Sequence, residues 1–350
     1  MTQAQGTRPG RTLVTPSGRE LPLPLFLPVH QANSVFGAFR TAHDMDLIRG
    51  CICNAFFLYK QADLRALLTG GTSLHEYLGF DGLVMTDSGA FQQFSRALYL
   101  SNRKIVEFQR AIGADVVSPL DVVTSPGDSH TVALRKVDAT ARRVMQAQRS
   151  AEGTLLAGVQ QGGRFLDLRQ RSTEQMVELG VAYLALGSLV PFFTRAHDLR
   201  FVAKTLRATR AQVPDGLPIH IYGAGDPLEL PFFAYLGADV FDSASYAHYA
   251  RSGWYMTPFG AVRDPGLLTT AGEGFSCGCP PCRENGSAAV FADPEGLSFH
   301  NLWTVLTVTE DIRAALAGGT LAEMLERVLR THAEWFPDSP LPQHWDELHG

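Results

Sequence analysis

The stretch LLAGVQQGGRFLDLRQRSTEQMVELGVAYLALGS, residues 155–188, decides the fold. It opens with a short apolar run at 155–159 and breaks on Gln161-Gly162-Gly163. Helical spacing follows from 165 to 179, and a second apolar run at 182–186 ends on Gly187-Ser188. A strand, a crossover helix and a second, parallel strand account for that order. The unit repeats on both sides. Short runs rich in β-branched and aromatic residues stand at 24–29, 51–59, 83–86, 115–120, 218–222 and 239–241, which makes eight in all. Helical spacing fills 102–112, 131–149, 197–213 and 228–236 between them.

Eight such units predict an α/β protein with a (β/α)8 TIM-like barrel, although an open doubly wound sheet shows the same alternation. The strand ends favour the barrel. Nearly every run finishes on a polar or glycine-containing group: Asn54, Asp87-Ser88-Gly89, Asp121, Gln161-Gly162-Gly163, Gly187-Ser188, Gly223-Ala224-Gly225 and Asp242-Ser243. A barrel brings all of these to one rim, where barrel active sites are built, whereas an open sheet spreads them along an edge. The rhythm stops after about residue 255, followed by a Gly/Pro/Cys-rich stretch and helical spacing at 302–317 and 321–335. The expected organisation is a barrel over 1–260, with the cysteine-bearing segment and C-terminal helices over 261–350 packed on it.

At 350 residues with 45% hydrophobic content the chain can bury a large core. Its 30 Lys and Arg against 35 Asp and Glu give a net charge of −5, which argues against generic wrapping of nucleic acid. Local basic faces remain open at Arg135, Lys136, Arg142, Arg143 and Arg149, and at Arg195, Arg200, Lys204, Arg207 and Arg210. A solvated helix face is the plain alternative for each. No run approaches the roughly 18 apolar residues of a membrane span, and the N-terminus is polar, so a cytoplasmic location without membrane partners is expected.

Five cysteines do not make a disulfide framework in a chain of this length, and three crowd into Cys277-Gly-Cys279-Pro-Pro-Cys282. A structural Zn2+ takes four N/S donors, and His300 is the nearest donor downstream, at the start of a helix. Four protein ligands leave no open position, so this zinc is expected to be structural, one per chain. Cys51 and Cys53, in an apolar run, read as small core residues.

Three aspartates end strand candidates: Asp87 in MTDSGAFQ (85–92), Asp121 in PLDVVTSP (119–126) and Asp242 in FDSASY (241–246). Singly, each could be a helix N-cap or a turn residue. Converging in a partly dry pocket, carboxylates suit chemistry at a sugar carbon, one attacking while another moves a proton.

These phrases, with GVQQGG (158–163), LGSLVP (186–191), PIHIYGAGDP (218–227), FDSASYAHYARSGWYMTP (241–258), CGCPPC (277–282) and FHNL (299–302), occur in an order that resembles the tRNA-guanine transglycosylase family, most closely its archaeal branch. The resemblance spans roughly residues 20 to 330 and rests on many separated motifs. It implies a pentosyltransferase that exchanges guanine in tRNA for a 7-deazaguanine base. Asp242 would be the nucleophile, through a covalent ribosyl intermediate, and Asp87 the general acid/base. Asp121, Gln161, Gly187 and Ser188 would meet the edge of the base, with Phe91 and Tyr222 stacking on its faces; core packing is the ordinary alternative for the two aromatics. The resemblance also implies a homodimer. Leu189-Val190-Pro191-Phe192 replaces the acidic loop with which the bacterial branch reads a cationic base, so a neutral base such as 7-cyano-7-deazaguanine is expected. Ser188 stands where relatives usually have Gly, and Asp226 where they have His before Pro. The C-terminal domains that help archaeal relatives bind tRNA are not expected here. DNA is therefore the alternative acceptor, and a catalytically silent nucleic-acid-binding or partner subunit with the same barrel is the alternative of another class.

Overall fold

Eight parallel strands close into a barrel in chain order: β3 (Leu25–His30), β4 (Gly50–Asn54), β5 (Leu83–Asp87), β6 (Val116–Val117), β7 (Leu155–Gln160), β8 (Tyr183–Leu186), β9 (Ile219–Ile221) and β10 (Val240–Ser243), with β10 returning to β3. The computed structural model describes residues 10–30, 37–90, 100–194, 198–270, 275–343 and 345. Closure follows from the register, in which Asp242 sits opposite Leu27 and Asn54 opposite Asp87. The residues that end strands thus share one rim.

The barrel interior is a packed core in which Leu25, Leu27, Ile52, Leu83, Met85, Tyr183 and Val240 meet, with Tyr222 against its upper end. Its lower end is covered by an antiparallel ribbon, β1 (Thr12–Val14) and β2 (Glu20–Pro22), whose Leu13 and Leu21 join the same cluster. Two acids at that end fasten the ribbon and cap free strand N–H groups. Asp239 pairs with Arg11 and Arg210 and accepts from the Ile219 N–H at 2.8 Å. Asp115 lies 3.1 Å from His75 and accepts from the Val84 N–H at 2.8 Å.

Two expected strands are shorter than the apolar runs that announce them. The run at 51–59 divides at Asn54, whose side chain accepts from the Phe57 N–H at 3.1 Å and starts the helix Ala55–Lys60. The run at 115–120 leaves the ladder after Val117, because buried side chains take over the backbone pairing. Gln109 bonds both the N–H and the C=O of Ser118, and Asn102 accepts from the Leu120 N–H. That departure swings Asp121 over the rim. The expected helices at 102–112, 131–149, 165–179 and 321–335 are present at Asn102–Ala111, His130–Ala147, Leu166–Glu178 and Leu321–Trp335.

The C-terminal helix begins earlier than expected, as Pro294–Gly318, because Asp293 caps the N–H groups of Glu295 and Gly296 and Pro294 takes the first turn. His300 therefore lies in its second turn. This helix packs against β3 and the helices Gly37–Asp44, Leu230–Tyr235 and Ser245–Arg251. One apolar cluster runs from the barrel's outer layer through Cys277, Cys279 and Cys282 to Trp335. Among the described residues, no helix is long and apolar enough to cross a membrane.

Candidate active site and metal centre

A cavity of about 300 Å3 opens at the upper rim, lined by Asp87, Asp121 and Asp242 together with Asn54, Gly187, Ser188, Val190, Pro191, Tyr222 and Gly223. Asp242, the penultimate residue of β10, is buried; its Oδ1 accepts from the Gly223 N–H at 3.1 Å. Gly223 has φ +80°, and a Cβ there would sit 2.3 Å from Val190, so only glycine lets this N–H reach the carboxylate. His220, fully buried on the neighbouring strand β9 and paired with Val240, places Nε2 2.9 Å from the same oxygen.

Asp87 closes β5 and accepts from Asn54 Nδ2 at 2.9 Å. By surface area it is only half-buried, yet its open side faces the cavity and protein surrounds it elsewhere. Burial, then the charges of Asp121 and Asp242, push its carboxyl up to about 7, against the opposing pull of the Gly89 N–H and Asn54. Asp121 is likewise pushed up by burial, to about 6, with Gln161 and Arg143 pulling the other way. Two carboxyls that change protonation near neutrality beside a third carboxylate form an arrangement suited to moving protons.

Gln161 is fully buried behind this wall, and its polar atoms are spent on protein. Nε2 donates to Asp121 at 2.5 Å, while Oε1 accepts from the Thr124 N–H, Thr124 Oγ1 and Ser188 Oγ. It orients Asp121 from outside the cavity lining. Ser188 adopts φ +58°, a left-handed conformation that is costly for a non-glycine residue, and its hydroxyl bond to Gln161 at 2.7 Å holds it there. Gly187 passes so close to Gln161 that a Cβ would sit 2.6 Å from Nε2. Tyr222 lines the cavity with its hydroxyl 3.1 Å from Ser118 Oγ and its ring edge-on to His220. Phe91 lies outside the described residues.

Sequence reading missed two groups. Arg169, almost wholly buried, donates to the carbonyls of Gly163, Gly187 and Ser188 and to Gln160, fixing the loops after β7 and β8. Burial lowers its guanidinium to about 9, still cationic at neutral pH. Its position in the helical stretch LDLRQRS signalled only a surface charge. His220 was hidden inside the apolar run PIHIY. Of the two basic faces, Arg135, Arg142 and Arg149 are exposed, whereas Arg210 is buried against Asp239 and the carbonyls of Pro214 and Leu217. Arg195 lies outside the described residues.

The side chains of Cys277, Cys279, Cys282 and His300 bring one donor atom each to within 4.8 Å of one another, a set that could hold a metal ion. His300 Nδ1 lies 3.5 Å from Cys279 Sγ and 3.6 Å from Cys282 Sγ. A tetrahedron with Zn–S near 2.3 Å and Zn–N near 2.0 Å has edges of about 3.5 Å, so the spacing fits. The other ring nitrogen faces the Met256 carbonyl at 2.9 Å, which fixes the tautomer that leaves Nδ1 free to ligate. Tyr255 stacks on the imidazole, 3.6 Å between centroids, and screens the site.

The fold and site define a parallel-barrel protein with three carboxyl groups at one rim and a Cys3His set that could hold a metal ion. Comparison narrows this: the family profile described as queuine tRNA-ribosyltransferase matches residues 5–334, and the chain belongs to that family. It is 36% identical over 326 residues to a tRNA-guanine(15) transglycosylase of Methanopyrus kandleri, covering 90% of this chain and 68% of the relative. Proteins of the same name from Korarchaeum cryptofilum (34%, 91% of this chain, 54% of the relative) and Haloarcula marismortui (33%, 93% and 67%) are also similar. The chain thus spans about half to two thirds of the length of these relatives.

Proposed function

We propose that the chain exchanges a guanine in tRNA for a 7-deazaguanine base through a covalent ribosyl ester on Asp242. The observation that carries this reading is the division of labour among the three rim carboxylates. Asp242 is held on one oxygen by the Gly223 N–H, and Asp87 is poised near 7, able to give and take a proton at working pH. In the first half-reaction Asp242 attacks C1′, the C1′–N9 bond breaks, and the departing guanine takes the Asp87 proton. In the second, Asp87 removes the N9 proton of the incoming base, which displaces Asp242 and restores both carboxyl groups to their starting states. No net energy source is needed, because one glycosidic bond replaces another.

Asp121, aimed by Gln161, accepts the N1–H and N2–H of the base, and Gly187 and Ser188 meet its edge. The wall formed by Val123, Val190 and Pro191 is apolar, which supports a neutral base such as 7-cyano-7-deazaguanine. Tyr222 and Phe91 cover its faces in this reading. Chemistry at C1′ requires the target nucleotide to leave its stack, which favours a loop or flipped nucleotide. The relatives' printed names make tRNA the acceptor proposed over DNA, and the cytoplasm is the place of action proposed. The metal proposed is Zn2+, held by Cys277, Cys279, Cys282 and His300 in a structural role. We further propose residues 1–260 as the catalytic unit, 261–350 as the metal-bearing appendage, and a homodimer measurable by light scattering.

The test is a guanine-exchange assay on purified protein offered tRNA and duplex DNA in parallel. Label should enter tRNA, and a denaturant-resistant protein–tRNA complex should form. Asp242→Ala should abolish both. Exchange by that variant would sink the nucleophile assignment, and label in DNA alone would overturn the acceptor.

A further inference from the structure

Beneath Asp242 lies a buried relay that the proton chemistry of Asp87 does not use. His220 is fully buried on β9, and Tyr222 packs edge-on against it, with ring centroids 4.7 Å apart, between the imidazole and the cavity. Substrate does not reach it. Its Nδ1 lies 2.8 Å from the Tyr183 hydroxyl, and Tyr183 is also fully buried. Nε2 faces the acceptor-only carboxylate of Asp242, so the tautomer that fits carries its proton on Nε2 and leaves Nδ1 to accept from the Tyr183 O–H, a hydroxyl that also lies 3.8 Å from Met85 Sδ. The ring proton is thereby placed on Nε2, the atom 2.9 Å from Asp242 Oδ1. The contact is close but off the hydrogen-bond line, and such contacts tighten as a reacting carboxylate shifts. The Gly223 N–H falls on Oδ1 as well, and no hydrogen bond falls on Oδ2 among the described residues.

We propose that His220 is a positioning residue for Asp242: with its tautomer set by Tyr183, it holds Oδ1 so that Oδ2 attacks C1′, and it speeds release of the ribosyl ester. The inference rests on Asp242 being the nucleophile. When the ester forms, Oδ2 bonds to C1′ and Oδ1 becomes the carbonyl oxygen. When N9 of the incoming base attacks C1′, the C1′–Oδ2 bond breaks and its electron pair returns to the carboxylate. Negative charge then reappears on Oδ1, where the Nε2–H donates. Before attack the contact lacks hydrogen-bond alignment, and it tightens into a hydrogen bond as charge returns to the carboxylate, so its acceleration falls chiefly on the second half-reaction.

The experiment compares His220→Phe, which keeps a flat ring without a donor, with His220→Gln, which restores an N–H donor. For each, kcat, the KM of the incoming base and the steady-state fraction of protein in the denaturant-resistant tRNA complex are measured. His220→Phe should lower kcat by about 10–100-fold, the effect of one hydrogen bond to a charged group. Its KM should stay near that of the parent while the covalent fraction rises, and His220→Gln should recover much of the lost rate. A parental kcat in His220→Phe, a covalent fraction that falls with the rate, or no recovery in His220→Gln would each overturn the proposal. If His220→Phe does not fold, Tyr183→Phe decides: a several-fold loss of kcat with a raised covalent fraction supports the relay, and parental behaviour overturns it. Asp242→Ala separates the two readings. A persisting complex in that variant removes the nucleophile itself, whereas its loss beside an unaffected His220→Phe removes only the role of His220.

Discussion

Asp87 is where the proposed exchange meets pH. Burial and two neighbouring carboxylates favour its neutral form, so it is an acid below about 7 and a base above. Guanine release in a single turnover should therefore fall as pH rises through about 7, while incorporation of the incoming base rises over the same window; two flat profiles would remove Asp87 from the proton path. Asp87→Asn should cut exchange by about 100–10,000-fold, the usual range for a lost acid/base. The sign for stability is the reverse. The unfolded chain ionises near 3.8 and the folded chain near 7, so folding grows more costly between those values, and Asp87→Asn should melt above the parent at pH 8 and not at pH 3. Asp121, pushed up to about 6, would accept both N–H groups of the base most strongly when ionised, so the KM of the base should rise as pH falls below 6; a constant KM from pH 5 to 8 would contradict that proposed role. Asp87 and Asp242 were legible as strand ends, because the strand-to-loop change is local, whereas Asp121 reaches the rim four residues after its strand stops at Val117. Their supporting groups were not, since Ser118 meets Tyr222 and His220 meets Tyr183 only once the barrel closes.

At the scale of elements, the short loop between strand and helix does two jobs at once. Asn54 ends β4, caps the helix Ala55–Lys60 through Oδ1, and donates to Asp87 through Nδ2. Asn54→Ala should cost about 1 kcal/mol from the cap alone. It should also move the Asp87-dependent pH profile upward, because a bond to the ionised form is lost. A melting curve and a pH–rate profile on one variant check both, and an unmoved profile would separate Asn54 from the chemistry. The same residue shows why the run CICNAFFLY at 51–59 read as one strand. Its composition is uniformly apolar, and the single break is an amide whose capping role depends on where the chain turns. The early end of β6 was hidden differently: Gln109 and Asn102, on the preceding helix, take over backbone groups that the ladder would otherwise pair. Arg169 completes the pattern on the opposite side, a buried cation that converges loop carbonyls and whose need is invisible in an amphipathic helix read alone.

Across the whole molecule the acids sort by end of strand. Asp115 and Asp239 precede β6 and β10 and fasten the lower ribbon, whereas Asp87 and Asp242 lie at the ends of β5 and β10 and face the cavity. Stability and chemistry are thus kept at opposite ends of one barrel. The proposed metal links them at the side. His300 faces the Met256 carbonyl, and the adjacent Asn301 accepts from the Met256 N–H while donating to the carbonyls of Tyr246 and Trp254. Tyr246 in turn donates to the Val29 carbonyl, and Val29 lines the cavity. The segment that follows Asp242 is therefore sewn to the helix that carries His300. The clustering of Cys277, Cys279, Cys282 and His300 was legible from the cysteine spacing and the next histidine downstream; this stitching was not, because Asn301 carries no signal apart from its neighbour. Loading with Zn2+ should stabilise the fold, since the ligand set is assembled only in the native state. Chelation or Cys279→Ala should release the ion, lower the melting temperature, and reduce exchange as the 245–256 segment loosens behind Asp242. If the ion-free protein melts and exchanges as the loaded protein does, the cluster neither holds the fold nor supports the site. If it melts lower but exchanges normally at low temperature, the stitching through Asn301 is sufficient to keep Asp242 in place without the metal.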